Sequence, residues 1–374
     1  MKKHLEPQED ELKSVLNKIR ERDPNRDFSD IIITKIKEQN IKPVTTIERR
    51  IKMKKSVIAT TVAASLALVI ASGFVSPTMA ESLQQVPGVK SIFKLAGDLG
   101  LRVAVNENLV SLPNVSASNE NLSLIVPEII YDGTRVSLSL ERNPKSELSI
   151  SNNPLKKDIK NVSLLINGED IQSFGPDNSN DIVVFQYAGV DNNSVILEFS
   201  DLRNQGGKIL PNSFDLTLNV DLKGESKTLS IEVPVKKNDT GAFVTNINAT
   251  KKSEDFTIKF QKIEITPVTT NLSTVLSLPE GKIYDPLKLN LAYDVVDSDG
   301  NSLKLLSSNE WHETNGNELT SDIRFQPFTT IPDKITIKPY IIEINKNGTF
   351  KQDTNGEVLK QYLPNLEVEV PIKK

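Results

Sequence analysis

No charged residue stands between Lys55 and Glu81. Within that gap residues 56–75 read SVIATTVAASLALVIASGFV. A helix rising ~1.5 Å per residue needs about 20 such residues to cross the roughly 30 Å hydrocarbon core of a bilayer. It also satisfies its own backbone hydrogen bonds, as lipid demands. The stretch therefore predicts one transmembrane helix over residues 56–76. Arg49, Arg50, Lys52, Lys54 and Lys55 stand immediately before it, and positive flanks are retained in the cytoplasm. The expected topology is single-pass in the cell membrane, with the N-terminus cytoplasmic, the C-terminus extracellular and the lipid bilayer as a first partner. Charge divides in the same sense: residues 1–55 carry 15 Lys+Arg against 10 Asp+Glu, and the remainder carries 30 against 39.

Two alternatives compete with a membrane span. A buried core helix can be as apolar, but five flanking basic residues are foreign to one. A cleaved signal peptide finds a small-x-small site at Thr78-Met79-Ala80, and cleavage near Ala80 would part the two halves of the chain. Signal peptides, however, begin with a short basic region, whereas 55 residues precede this apolar run.

Those residues are patterned as helices. Leu12, Val15, Leu16 and Ile19 recur at i, i+3, i+4 and i+7, an apolar stripe on a charged helix. A second helix from the N-cap candidate Asp27 places Phe28, Ile31, Ile32 and Ile36 on one side. Two short amphipathic helices cannot bury both apolar faces against each other completely. The surplus fits a soft hairpin, a membrane-surface contact or a protein partner. The basic run at 49–55 abuts the membrane segment and has no interleaved aromatic residues, so it reads as a topological flank and not as a nucleic-acid site.

After Ser76-Pro77, residues 77–100 are expected to be a juxtamembrane helical linker, with Leu83, Val86, Ile92, Phe93, Leu95, Ala96 and Leu99 on its apolar side. Basic residues are sparse there, which favours packing on a β-domain over lying on the membrane. From residue 101 the period changes to two. RVSLSLE (135–141), VSLLING (162–168), SVILEFS (194–200), FDLTLNV (214–220) and LSIEVPV (229–235) alternate between turns such as Asp132-Gly133, Asn167-Gly168 and Lys223-Gly224. FTIKFQKIEIT (256–266), LKLNLAYDVV (287–296), ITIKPYIIEI (335–344) and LEVEVPIKK (366–374) form a second series. Both series end alike, in LSIEVPVKK at 229–237 and LEVEVPIKK at 366–374. The expected class is mainly β: two tandem extracytoplasmic antiparallel β-sandwich domains over 101–238 and 239–374, each sheet with one buried and one wet face. The cytoplasmic helical segment (1–55) and the transmembrane helix precede them.

Residues with chemistry are few. The chain has no cysteine, so disulfides and thiolate metal sites do not arise. His312, beside the single Trp311, is the one histidine of the exterior part, too little for a zinc site or a Ser-His-Asp arrangement. Asp297-Ser298-Asp299-Gly300-Asn301 alternates oxygen ligands as a calcium loop does, but Ser308 stands at its twelfth position, and a hairpin turn is the better reading. No catalytic, cofactor-binding or metal-binding residue is assigned, no cofactor is expected, and there is no positive case for an enzyme.

Three features together resemble the single-pass Gram-positive bacterial proteins that contain domain of unknown function 4179, described as anti-sigma-factor-like. They are the helical stub Phe28–Ile36, the basic flank with its Ala/Val/Ile helix, and QQVPGVKSIFKLAGD at 84–98. Segment 256–278 and the expected hairpin at 291–306 similarly resemble the β-domain that follows it in such proteins. The resemblance implies a membrane-bound regulator that holds a sigma factor in the cytoplasm while its exterior domains sense the envelope. The chain lacks the His-x-x-x-Cys-x-x-Cys zinc motif of many anti-sigma domains. A sigma factor would therefore be held through Leu12, Val15, Leu16, Ile19, Phe28, Ile31 and Ile32 in an apolar cleft. The alternative is an anchored exterior protein whose β-domains bind cell-wall polymer or another protein.

Overall fold

The computed structural model describes residues 91–146, 153–176, 182–285, 289–312, 316–345, 349–354 and 356–372. All of them belong to one compact unit, Lys55–Lys374. The predicted cytoplasmic helices and the transmembrane stretch lie outside the described residues. Among the described residues, no helix is long and apolar enough to cross a membrane.

The structure is mainly β, and the described strand pairs that build its sheets are antiparallel. Sheet A contains β1 (Val115–Ser118), β2 (Leu122–Val126), β3 (Ile129–Tyr131), β4 (Arg135–Pro144), β7 (Phe185–Ala188) and β8 (Ser194–Ser200). Its order is β1-β2-β4-β8-β7, with β3 also on β4. Sheet B orders β10 (Leu229–Lys236), β9 (Ser213–Leu222), β5 (Ile159–Ile166) and β6 (Glu169–Asp170). The two share one core, in which Leu138, Leu140, Leu197 and Phe199 of sheet A join Leu164, Leu216, Leu218 and Val233 of sheet B. This is the N-terminal sheet pair.

The C-terminal pair repeats the plan. Sheet C orders β11 (Phe243–Lys252), β12 (Thr257–Ile265), β13 (Thr270–Ser277), β16 (Glu318–Phe325) and β15 (Leu305–Trp311). Sheet D sets β14 (Leu291–Val296) on β17 (Lys334–Ile342), which also pairs with β18 (Lys360–Tyr362) and β19 (Val368–Pro371). Ile258, Phe260, Leu272 and Ile323 face Val295, Ile335, Ile337 and Val370 across a second core. The two similar nonapeptides occupy like places. Val233 pairs with Leu216 and Ile231 with Leu218, as Val370 pairs with Ile335 and Val368 with Ile337. Pro234 and Pro371 both lie on edge strands, where a missing N–H costs no ladder bond.

Turn chemistry acts as the residues dictate. Asn167 and Gly168 both take positive φ (50° and 81°), the twist that a two-residue hairpin requires. Asp297 accepts from the Asp299 and Asn301 N–H groups at 3.0 and 2.8 Å and from Asn301 Nδ2 at 3.0 Å. That segment is a turn closed by the Val296–Ser302 bridge. The chain then leaves sheet D for β15 of sheet C, so residues 291–306 do not make a simple hairpin within one sheet.

Two expectations change. Period two does not begin at residue 101. Helix α1 (Leu99–Asn106) occupies that stretch, with Asp98 as its N-cap accepting from Gly100 N–H, and Leu101 and Ala104 are buried on one side. Leu-Arg-Val-Ala-Val-Asn suits either period, and the cap decides for helix. The second change concerns the wet faces. Strands β9 and β10 alternate as expected, with burial on every second residue. Every residue of β8, in contrast, is buried, as are the first six of β4 and the first five of β13. The edge strands β1 and β11 keep an exposed face, but over β4, β8 and β13 the outward faces of sheets A and C are not wet. They form a junction.

Candidate functional site: a buried ionic junction

The site forms where the β12–β13 turn, residues 266–269, enters the N-terminal sheet pair. Thr266 Oγ1 accepts from the N–H groups of Val268 (3.1 Å) and Thr269 (2.8 Å), which makes the turn a stiff finger. Thr266 Oγ1 also donates to Asp132 Oδ2 at 3.0 Å. Val268, 2% exposed, packs with Ile92, Phe93, Leu101, Ile130, Tyr187 and Ile196.

Arg135, at the start of β4, receives the finger. Its Nε donates to Thr269 Oγ1 (2.9 Å) and its Nη2 to the Val268 carbonyl (3.3 Å). Its Nη1 lies 2.7 Å from Asp98 and 2.6 Å from Glu198. The three charged side chains are at most 3% exposed. Burial alone pulls the guanidinium pKa down. Asp98, Glu198 and Asp132 outweigh it and hold Arg135 above its ordinary value. One cation thus ties together α1, sheet A and the finger.

A second cluster continues along the seam. The short 3-10 turn Arg203–Gln205 follows β8 and reaches over sheet C. Arg203 bridges Asp201 at 3.2 Å and Glu264 at 2.7 Å, and Asn204 Nδ2 donates to Asp322 at 2.9 Å and to Ser273 at 3.3 Å. Asp322 also accepts from Asn271 (3.1 Å) and Ser273 (2.5 Å). Beside Asp322 on β16, Arg324 is fully buried. It donates from Nη1 to Asn309, but among the described residues its Nε and Nη2 have no hydrogen-bond partner, and burial depresses its pKa despite Asp322, Glu198 and Asp132. An Arg324→Met variant, similar in volume, should therefore shift stability by less than about 1.5 kcal/mol, because the interactions lost are few. Chemical denaturation monitored by fluorescence checks this.

The junction also predicts a pH dependence. Burial raises the Asp132 and Glu264 pKa values, but Arg135 in the first case, and Arg203 with Lys262 in the second, outweigh it and hold both below the ordinary carboxylate range. A carboxylate depressed on folding stabilises above its unfolded pKa of ~4 and loses that contribution as pH falls through the folded value. Asp201, raised by burial, acts in the opposite sense and offsets part of the loss. Through Asp132 and Glu264 the denaturation midpoint should thus fall below about pH 4. Glu264→Gln should shallow that fall.

At the mouth of the seam a cavity of about 210 Å³ is lined by Asp132, Thr134, Arg203, Lys237, Glu264 and Thr266, among others. The strand connection runs past it. Lys237 makes a parallel bridge to Tyr131, and Asn238 N–H donates to the Tyr131 carbonyl at 2.7 Å. Among the described residues, no group of three or more His, Asp or Glu is placed to hold a metal ion.

The side chains proposed from sequence as partner contacts (Leu12, Val15, Leu16, Ile19, Phe28, Ile31 and Ile32) and as membrane flank (Arg49, Arg50, Lys52, Lys54 and Lys55) all lie outside the described residues. Sequence reasoning missed the junction. Its signal was chemical: the non-core faces of β4, β8 and β13 carry Ser137, Ser139, Ser200, Asn271 and Ser273, where β10 carries Glu232 and Lys236.

Two family models match this chain. Residues 49–142 match a domain of unknown function, DUF4179, and residues 243–372 match a family of unknown function, DUF5643. The first match starts at the basic flank and ends within β4, so it includes Asp98 and Arg135 but leaves out the stub Phe28–Ile36. The second spans β11 to β19, the whole C-terminal sheet pair. No curated protein matches the chain. Among solved structures, a conserved domain protein from Bacillus anthracis aligns at 12% identity over 71% of this chain and 92% of its own, with a TM-score of 0.48. Bovine butyrophilin aligns at 9% identity over 69% and 97%, with a TM-score of 0.19. At these values neither likeness carries an argument about function.

Proposed function

We propose that the chain is a membrane-anchored, anti-sigma-factor-like regulator. In this reading residues 56–76 cross the membrane once, and the cytoplasmic helices hold a sigma factor through Leu12, Val15, Leu16, Ile19, Phe28, Ile31 and Ile32. The two sheet pairs act as tandem sandwich domains outside the cell, and no step is catalytic. The supporting observation is the DUF4179 match, which begins at the basic flank and runs through the charge-free stretch into the β-structure. The ionic junction supports it further, since a sensor must deliver a change at its far end to the chain that enters the membrane.

The test is capture of partners from the native cytoplasm by the detergent-solubilised full chain. Recovery of one sigma factor, lost on Leu16→Ala with Phe28→Ala, is the expected result. A chain that sits in the membrane but recovers no sigma factor sinks the regulator. The second reading is an anchored exterior binder, favoured by the cavity at the junction mouth. It predicts that envelope polymer or an envelope protein is retained by the exterior part whether or not the cytoplasmic helices are intact.

A further inference from the structure

Residues 91–106 have no core of their own. Phe93, Ala96, Leu101 and Ala104 are each fully buried, in a cluster supplied from both sides: Ile130, Tyr187 and Ile196 from sheet A, and Val268 and Leu306 from the C-terminal pair. Polar anchors divide the same way. On the N-terminal side, Glu128 accepts from the N–H groups of Ile92 (2.9 Å) and Phe93 (3.1 Å) and from the Ser91 hydroxyl. On the other, Gln326 Nε2 donates to the Gly97 carbonyl at 3.4 Å. Gly100 packs so closely on the finger that a Cβ there would stand 1.9 Å from the Val268 carbonyl oxygen.

We propose that the junction is a latch: the finger 266–269, seated on Arg135, holds residues 91–106 in place, and opening the seam between sheets A and C releases them. The physical reason is shared cover. When the seam opens, Val268 and Leu306 withdraw, and the segment keeps Ile130, Tyr187 and Ile196 as apolar lining with the Glu128 and Asp98 anchors. A segment with few buried contacts opens at low free energy. The coupling is reciprocal, so a load on residue 91 loosens the finger as surely as opening the seam loosens residue 91. It is a property of residues 91–372 and requires no sigma factor.

Hydrogen exchange read by mass spectrometry on the full chain in lipid nanodiscs tests the latch. Asn204→Ala removes the junction bonds to Asp322 and Ser273, none of which belongs to the apolar cluster that covers 91–106. Amides 92–104 should then exchange about ten-fold faster, the equivalent of one or two lost hydrogen bonds, while β9 and β10 stay protected. Acceleration confined to 203–206 and 264–273 would overturn the proposal. Should the variant unfold, with β9 and β10 exchanging as well, the unmodified chain decides. In sub-denaturing guanidinium, amides 92–104 and 268–272 open with one shared denaturant dependence if the latch exists, and with separate dependences if it does not.

Discussion

Arg135→Met should cost the folded chain about 3–5 kcal/mol, the range for breaking a buried ionic group by removing one partner. The reason lies with what remains. Asp98 and Glu198 are at most 3% exposed and would lose the cation that bridges them, while Thr269 Oγ1 and the Val268 carbonyl would each lose a donor. Domains are stable by about 5–15 kcal/mol in total, so a loss of this size is a large fraction. Guanidinium denaturation reads it as a lowered midpoint. Arg135→Lys should recover only part, since one ammonium cannot span two carboxylates and two finger acceptors as the planar fork does. The comparison with Arg324→Met is the sharper test. Both arginines are buried to within 2%, yet Arg135 is fully partnered and Arg324 is not. If burial alone set the cost, the two variants would lose equal stability, and equal losses would refute a dominant role for pairing.

Phe93→Ala is the second large effect, about 3–5 kcal/mol, through lost transfer energy and the cavity left behind. Phe93 is fully buried in a layer that belongs to neither sheet-pair core. Its loss should therefore disturb the junction first. We expect faster hydrogen exchange at 92–104 and 266–271 before any change within β9 and β10. A uniform rise across both sheet pairs would show that the junction has no stability separate from the cores.

Much of the strand content was legible in the chain. RVSLSLE, SVILEFS, FDLTLNV and LSIEVPV all become strands, because alternation and turn residues act over a few neighbours. Asn167-Gly168 and Lys223-Gly224 fall at turns for the same reason. The likeness of LSIEVPVKK and LEVEVPIKK was also legible, and each pairs with the strand that begins after Pro211 or Pro332. Residues 101–106 were not, since one cap decided between two periods that the side chains fit equally well. Nor was the crossing from β14 in sheet D to β15 in sheet C, which no local pattern encodes.

Local patterning sets where strands and turns form, which face of each strand is apolar, and that one charge-free stretch stands apart behind a basic flank. What covers the polar faces depends on how the two sheet pairs meet. Period two separates the two faces of a strand but is silent about the far side of each. A row of Ser, Thr and Asn is as compatible with water as with a matching polar row from another sheet. That ambiguity hid Arg135, Asp98 and Glu198: 134 residues separate Arg135 from Thr269, and their pairing exists only once both sheet pairs have folded and met.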